Sequence, residues 1–249
     1  MDMHSISLAI PAFNEEASLE RTVRMYIDAL AATASDFEIV LLDDGSTDHT
    51  RLIIERLVAG HPGVIRSVRH ERNQDIAEAC EDVQRAAQKE FVLALGADGQ
   101  YAPEIILACL AHAETCDVLL CKRKEKHYGF FRAVVSALYR LICRACFGFD
   151  LQDPGGAKMI RRTLFDVLPV RSKSVFREPE RAIRAAWNGY RIETVEVTCV
   201  PRQAGKARGC NMRLILSAFR DVCLLWWEGR GSHPGVRSIQ QQPHGAGIR

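Results

Sequence analysis

Residues 5–16, SISLAIPAFNEE, and residues 37–48, FEIVLLDDGSTD, share one pattern: a short apolar run that ends in acidic and turn-forming residues. Ile6–Ile10 and Phe37–Leu42 are rich in branched side chains and lack polar alternation, the mark of strands covered on both faces. Ile65–Val68, Phe91–Leu95 and Val118–Cys121 read the same way. Between the runs, the spacing predicts helices near Glu16–Ala32, Asp48–Ala59, Ile76–Gln88 and Pro103–Glu114. Ser46-Thr47-Asp48 offers cap-type side chains to one helix, and Pro103 suits the start of another. Such alternation implies an α/β fold: a doubly wound, mainly parallel sheet flanked by helices in a single domain.

An open parallel sheet binds its ligands beyond the carboxyl ends of its strands. Four polar clusters fall at such ends: Pro11–Glu16, Asp43–Asp48, Arg72-Asn73-Gln74 and Ala97-Asp98-Gly99-Gln100. Carboxylates gathered there repel a phosphate unless a cation intervenes. Asp98 and Gln100, both oxygen donors, suit Mg2+ or Mn2+ sharing its coordination with a diphosphate. Taken singly, Asp44, Ser46 and Asp48 read equally well as turn and cap residues. The recurrence of all four clusters favours a ligand site. No GxGxxG follows the first strand and no GxxxxGK[ST] occurs, so two common nucleotide folds lose their support.

Composition narrows the class further. With 249 residues, 47% hydrophobic and 26% charged, the chain reads as globular rather than disordered. The longest apolar candidate, Ala133–Phe149, is broken by Arg140 and Arg144, too soon for a membrane span. MDMHSISLAIPAFNEE lacks the build of a signal peptide, and nine cysteines without framework spacing fit reduced thiols. A cytoplasmic chain is expected. Residues 1–119 hold 9 Lys+Arg and 21 Asp+Glu, whereas residues 120–215 hold 20 and 8. That division suggests a metal on the acidic side and an anionic ligand on the basic side. Differing helix surfaces explain it equally well.

The second half predicts a long amphipathic helix over Phe130–Phe147 and a turn at Asp153–Gly156. A strand near Lys158–Ile160 follows, then helices near Arg162–Leu168 and Pro179–Asn188, a strand over Arg191–Val200 and a helix over Met212–Glu228. Beyond Gly229 the Gly-, Pro- and Gln-rich composition suits a disordered tail. The lone Cys143-Arg144-Ala145-Cys146 is expected to pack, not to bind metal. Leu224–Trp227 is expected to pack on the sheet, with a membrane interface as the alternative. Tyr128–Phe131 reads either as a mobile loop or as helix entry. No stacking motif or recognition module accompanies the arginines, so nucleic acid is not an expected partner.

PAFNEE (11–16), DDGSTD (43–48) and ADGQYAP (97–103), in this order, resemble family 2 glycosyltransferases of the GT-A fold. The similarity points to the branch of dolichol-phosphate mannosyltransferase and bacterial polyprenyl-phosphate sugar transferases. It extends through Arg132 and Ser136 in FRAVVSALYRLICRACFGFDLQD, Lys158 with Arg161-Arg162, Glu180 with RAIRAAWNGYRIETVEV, and Arg202–Arg208. The resemblance implies an inverting enzyme that moves a sugar from a GDP- or UDP-linked donor to a polyprenyl phosphate. It would work at the inner face of the membrane as a peripheral protein, with Mg2+ or Mn2+. Residues 1–120 would form the nucleotide-sugar and metal half of one domain (1–228), and residues 121–228 the acceptor half, leaving 229–249 as the tail.

By the same resemblance, Pro11, Phe13, Glu15 and Asp44 would line the nucleoside pocket, and Asp98 and Gln100 would hold the metal. Arg123, Arg132, Ser136 and Arg202 would grip the acceptor phosphate, with Lys206 and Arg208 on either anion. Asp98, Arg132 and Arg202 would carry catalysis. The chain departs from the family at Gly96, where an aspartate is usual, and at Asp75, Ala77, Val83 and Lys89, where glycines are usual. Two alternatives follow. One is a soluble or glycan acceptor, for which Asp153 or Glu180 would be the general base. The other is a silent nucleotide-sugar-binding relative.

Overall fold

Apolar runs without a polar face need cover on both sides. The computed structural model, which describes residues 4–34, 36–124, 130–200 and 212–232, provides it. The chain forms β1 (Ile6–Ala12), α1 (Leu19–Thr33), β2 (Phe37–Asp43), α2 (Thr50–Gly60), β3 (Ile65–Arg69), α3 (Asp75–Arg85), β4 (Phe91–Ala94) and α4 (Glu104–Leu110). There follow β5 (Val118–Arg123), α5 (Phe130–Phe147), β6 (Lys158–Arg161), α6 (Leu164–Val167), α7 (Arg177–Trp187), β7 (Ile192–Val197) and α8 (Met212–Ser232). Side chains of β1 alternate between two cores. Ile6, Leu8 and Ile10 join α1, α2 and α4, while Ala9 joins α3, α5, α7 and α8.

The sheet has seven strands in the order β3-β2-β1-β4-β6-β5-β7. All its pairings are parallel except those of β6, which lies antiparallel to β4 and β5. From β1 the chain winds one way to β2 and β3 and later returns on the other side to β4. Order reverses between β1 and β4, and their carboxyl ends diverge into a crevice.

Two expectations need correction. Helix α8 runs to Ser232 rather than ending at Glu228, because Gly229 does not stop it. A Cβ at Gly229 would lie 2.7 Å from Trp187 Cη2, so this glycine admits the indole against the helix. Residues 233–249 lie outside the described residues. The charge division is also partly internal. Arg181 pairs with Glu81 at 2.7 Å, Arg177 with Glu78 at 2.8 Å, Arg161 with Glu90 at 2.5 Å, and Arg191 with Asp117 at 3.2 Å. The acidic and basic stretches thus neutralise one another across the fold.

Candidate active site

At the crevice, the loops after β1 and β2 are stapled together. Asn14 sits at φ 54°, a left-handed conformation that asparagine tolerates. Its Oδ1 accepts the Thr47 N–H at 2.8 Å, and its own N–H donates to Ser46 Oγ at 3.1 Å. Glu15 N–H donates to Thr50 Oγ1 at 2.8 Å, while Asp48 Oδ1 accepts the Thr50 N–H at 2.9 Å. Ser46 and Thr47 therefore join the two loops into one wall of the crevice, while the N-cap of α2 is His49, which makes no side-chain cap bond. Pro11 is buried within β1; Phe13 and Glu15 emerge half-buried at its end.

Asp44 follows β2 directly and is held by the loop after β3. Buried at 2% exposure, it accepts from Asn73 Nδ2 (2.9 Å) and the Gln74 N–H (2.8 Å), and its Oδ1 lies 2.7 Å from His70 Nδ1. Its carboxylate thereby anchors the loop after β3 at the position where the nucleoside contact is expected. Gly45, at φ +69°, lets that loop close in: a Cβ there would lie 2.6 Å from the Arg72 carbonyl carbon.

Beyond β4, Asp98 Oδ1 accepts the Gln100 N–H at 3.2 Å, and both side chains are half-buried. Two buried tyrosines fix the loop that carries them. Tyr26 Oη donates to the Tyr101 carbonyl at 3.1 Å, and Tyr101 Oη accepts the Ala157 N–H at 2.8 Å. Burial, chiefly, raises both phenols far above their ordinary range, and the nearby Asp98 carboxylate adds to the effect at Tyr26. Neither tyrosine was singled out in the sequence, since a tyrosine at these positions reads as ordinary core. Tyr101→Phe strands the Ala157 N–H and should cost about 1–3 kcal/mol of stability, read by urea denaturation.

Cys199 bridges to Tyr101, and its thiol is pushed up to about 11 by burial, with Arg123 opposing. Arg123, at the end of β5, reaches Asp153 with Nε at 2.7 Å and Nη2 at 2.9 Å. Lys158, at the start of β6, donates to the Gly156 carbonyl at 3.1 Å. Asp98, Tyr101, Arg123, Asp153 and Lys158 thus lie at the end of the sheet where β4 and β5 finish and β6 begins. An anion approaching Arg123 would compete with Asp153.

The donor set around Asp98 can be tested against a metal. Among the described residues no three His, Cys, Asp or Glu side chains converge. A Cβ at Gly96 would lie 3.0 Å from Asp98 Oδ1, so the usual second carboxylate would have stood beside the first. One carboxylate and one amide oxygen do fit a hard cation that fills its remaining sites with phosphate oxygens and water, as Mg2+ does.

Other expected residues fall elsewhere. Ser136 lies half-buried on α5, which carries Arg132 one turn earlier. The Arg132 side chain, and Arg202, Lys206, Arg208 and Tyr128 entirely, lie outside the described residues. Glu180 is no general base: it is buried on α7 and accepts from Arg171 N–H, Ser172 N–H and Arg184. Lys89 ion-pairs with Asp36 at the amino end of β4, away from the crevice, and Arg161 is at the same end. Cys143 is buried and pushed up to about 12 by desolvation, as a packing residue should be.

The family model described as Glycosyl transferase family 2 matches residues 7–169. Among similar curated proteins is an undecaprenyl-phosphate 4-deoxy-4-formamido-L-arabinose transferase of Pseudomonas fluorescens (strain SBW25). It is 29% identical over 222 residues, covering 87% of this chain and 63% of that protein. A protein of the same name from Proteus mirabilis (strain HI4320) is 26% identical over 216 residues, covering 86% and 65%. The chain thus spans under two thirds of the length of these relatives. Its fold is similar to glucosyl-3-phosphoglycerate synthase from Mycobacterium tuberculosis. The complex of that enzyme with Mn2+, UDP and phosphoglyceric acid superposes with TM-score 0.66 at 20% identity, covering 88% of this chain and 78% of that one. The complex with Mg2+ and UDP gives 0.68 at 21% identity, covering 88% and 79%. The fold is therefore GT-A, and the ordered clusters at its crevice lie in the span that the family model matches: the chain belongs to glycosyl transferase family 2.

Proposed function

We propose that this protein is a metal-dependent, inverting glycosyltransferase that moves a sugar from a GDP- or UDP-linked donor onto a polyprenyl phosphate. One observation carries the reading: the oxygen donors Asp98 and Gln100 stand on the loop that Tyr101 ties to Ala157, just before Lys158 of β6, at the same end of the sheet as Arg123 on the neighbouring β5. The names of the curated relatives support the lipid acceptor, and the Mn2+ and Mg2+ complexes of the fold neighbours support a divalent metal.

Pro11, Phe13 and Glu15 at the end of β1 and Asp44 after β2 would line the nucleoside pocket, Asp44 also pinning the loop after β3. Asp98 and Gln100 would hold Mg2+ or Mn2+; when bound, the metal neutralises charge on the departing diphosphate. Arg123, with Ser136, would orient the acceptor phosphate for in-line attack on the sugar C1, joined by Arg132 and Arg202; Lys206 would neutralise either anion. A phosphate oxygen is already anionic at neutral pH, so positioning and charge stabilisation suffice without a strong base. Calorimetric titration of GDP and UDP with Mn2+, then EDTA, tests the donor side. Binding of one nucleotide that EDTA reverses is expected, and no binding to folded protein would contradict the reading.

The acceptor implies contact with a membrane surface. Among the described residues no helix is long and apolar enough to cross a membrane. Helix α8, packed against α5, instead exposes a stripe at helical spacing: Leu216 (62%), Phe219, Cys223, Leu224 and Trp227 (74%). On α5, Leu138 and Leu141 are exposed as well, and so are Arg144, Arg213 and Arg220 on the two helices. Trp226 packs inward as expected, but Trp227 does not. Such a face suits an anionic lipid surface. Leu216→Asp combined with Trp227→Asp should reduce flotation with anionic vesicles about tenfold or more. Unchanged flotation would remove this surface from the account.

A further inference from the structure

Beside the crevice lies a cavity of about 510 Å3 lined by Arg72, Asn73, Gln74, Glu78, Lys173 and Arg177. Arg72, Asn73 and Gln74 are the strand-end cluster after β3, to which no role in the transfer has been given. Its two walls are held independently by buried carboxylates. On one side Asp44 (2% exposed) binds Asn73 Nδ2 and the Gln74 N–H, and the chain turns into α3 through Asp75 at φ 71°. On the other, Asp221 Oδ2 (residue 3% exposed) accepts both the Lys173 and Ser174 N–H groups at 3.1 Å. Backbone pinned in this way presents the side chains between it in a fixed arrangement.

The charge of the lining is unbalanced. Glu78, its one carboxylate, is taken by Arg177 Nη1 at 2.8 Å. Arg177 is further fixed by donating Nε to the Ser172 carbonyl at 2.8 Å. Among the described residues, neither Arg72 nor Lys173 has a carboxylate partner in an ion pair. Two cations lining one cavity without carboxylate partners leave it with a positive potential that an oxyanion complements. The Asn73 and Gln74 amides add donors and acceptors suited to phosphate oxygens or sugar hydroxyls. The hydrogen bonds that Asp44 accepts from Asn73 and Gln74 tie one wall of this cavity to the end of β2, where the nucleoside contact is expected.

We propose that Arg72 and Lys173 form an oxyanion pocket of the donor site, receiving either a diphosphate oxygen or an acidic group on the donor sugar. The inference rests on the glycosyltransferase reading. Both side chains are exposed, so Arg72→Gln with Lys173→Gln should fold normally. The test titrates uridine, UDP, UDP-glucose and UDP-glucuronate, or the guanosine series if guanine is preferred, into the wild type and this double variant with Mn2+. A loss of affinity of about tenfold or more is expected for anionic ligands, with the nucleoside unaffected. Loss already present with UDP assigns the diphosphate as the anion; loss confined to UDP-glucuronate assigns the sugar carboxylate. A double variant that binds every ligand as the wild type does would overturn the pocket while leaving the function intact. A wild type that binds no nucleotide would overturn both.

Discussion

Asp98→Ala is expected to lower sugar transfer by about a thousandfold, with the thermal unfolding midpoint unchanged within a degree or so. The size follows from the site's economy. With Gly96 beside it, Asp98 is the sole carboxylate of its loop, and among the described residues no cluster of three metal-ligating side chains backs it up. A site with two carboxylates can lose one and keep a weakened cation; this one has Gln100 in reserve, a neutral oxygen. Stability should not follow activity. Asp98 is half-buried, and the tyrosines hold its loop through main-chain groups. Gln100→Ala should cost less, about tenfold. Steady-state assays across Mn2+ concentrations check both, and an Asp98→Ala enzyme with wild-type turnover would remove the metal assignment.

The second large effect is on folding. Arg181, fully buried on α7, sets Nη2 2.9 Å from Glu81 Oε1 and 2.7 Å from Oε2, and its guanidinium lies 4.3 Å from the Phe165 ring centroid. This pair ties α7 to α3. Glu81→Leu leaves a guanidinium inside the core with Glu178 at 3.9 Å as its nearest remaining carboxylate. The expected loss is about 4 kcal/mol, roughly 10 °C in Tm. Glu81→Leu with Arg181→Met should recover most of it, because a buried pair replaced by apolar groups of similar volume is close to neutral. Calorimetric unfolding of the three proteins checks this. A double variant as unstable as the single one would mean that the pair does more than cancel its own desolvation.

The fold was largely legible because the strand signals were strong. Ile6–Ile10 and Phe37–Leu42 lack polar alternation, and the structure places them side by side at the centre of the sheet, in the Ile6↔Phe37 register. Helix α5 begins and ends where its periodicity does. Helix ends elsewhere were less legible because they depend on tertiary partners, as Gly229 shows: a glycine reads as a stop until Trp187 is seen resting on it.

The site was legible as clusters and illegible as contacts. Sequence order placed Asp44 and Asn73 at strand ends, but only the parallel pairing of β2 with β3 brings them within 2.9 Å and gives the carboxylate a partner in the protein. The surplus of arginines in the second half suggested a ligand, yet Arg161, Arg177, Arg181 and Arg191 meet carboxylates of the first half. Composition counts charges but does not show which ones pair. The departures at Lys89 and Asp75 likewise divide in space: Lys89 sits at the amino end of β4, whereas Asp75, at φ 71°, keeps a backbone form that glycine adopts freely and borders the oxyanion pocket.

The central claim is transfer to a lipid phosphate, and one assay reaches it directly. Purified protein is incubated with Mn2+, undecaprenyl phosphate and UDP- or GDP-sugar carrying a radiolabel on the sugar, and the mixture is extracted with organic solvent. The account predicts label in the organic phase that depends on the lipid and disappears with EDTA. Label that is transferred but stays in the aqueous phase, with the lipid present and the donor consumed, would contradict it.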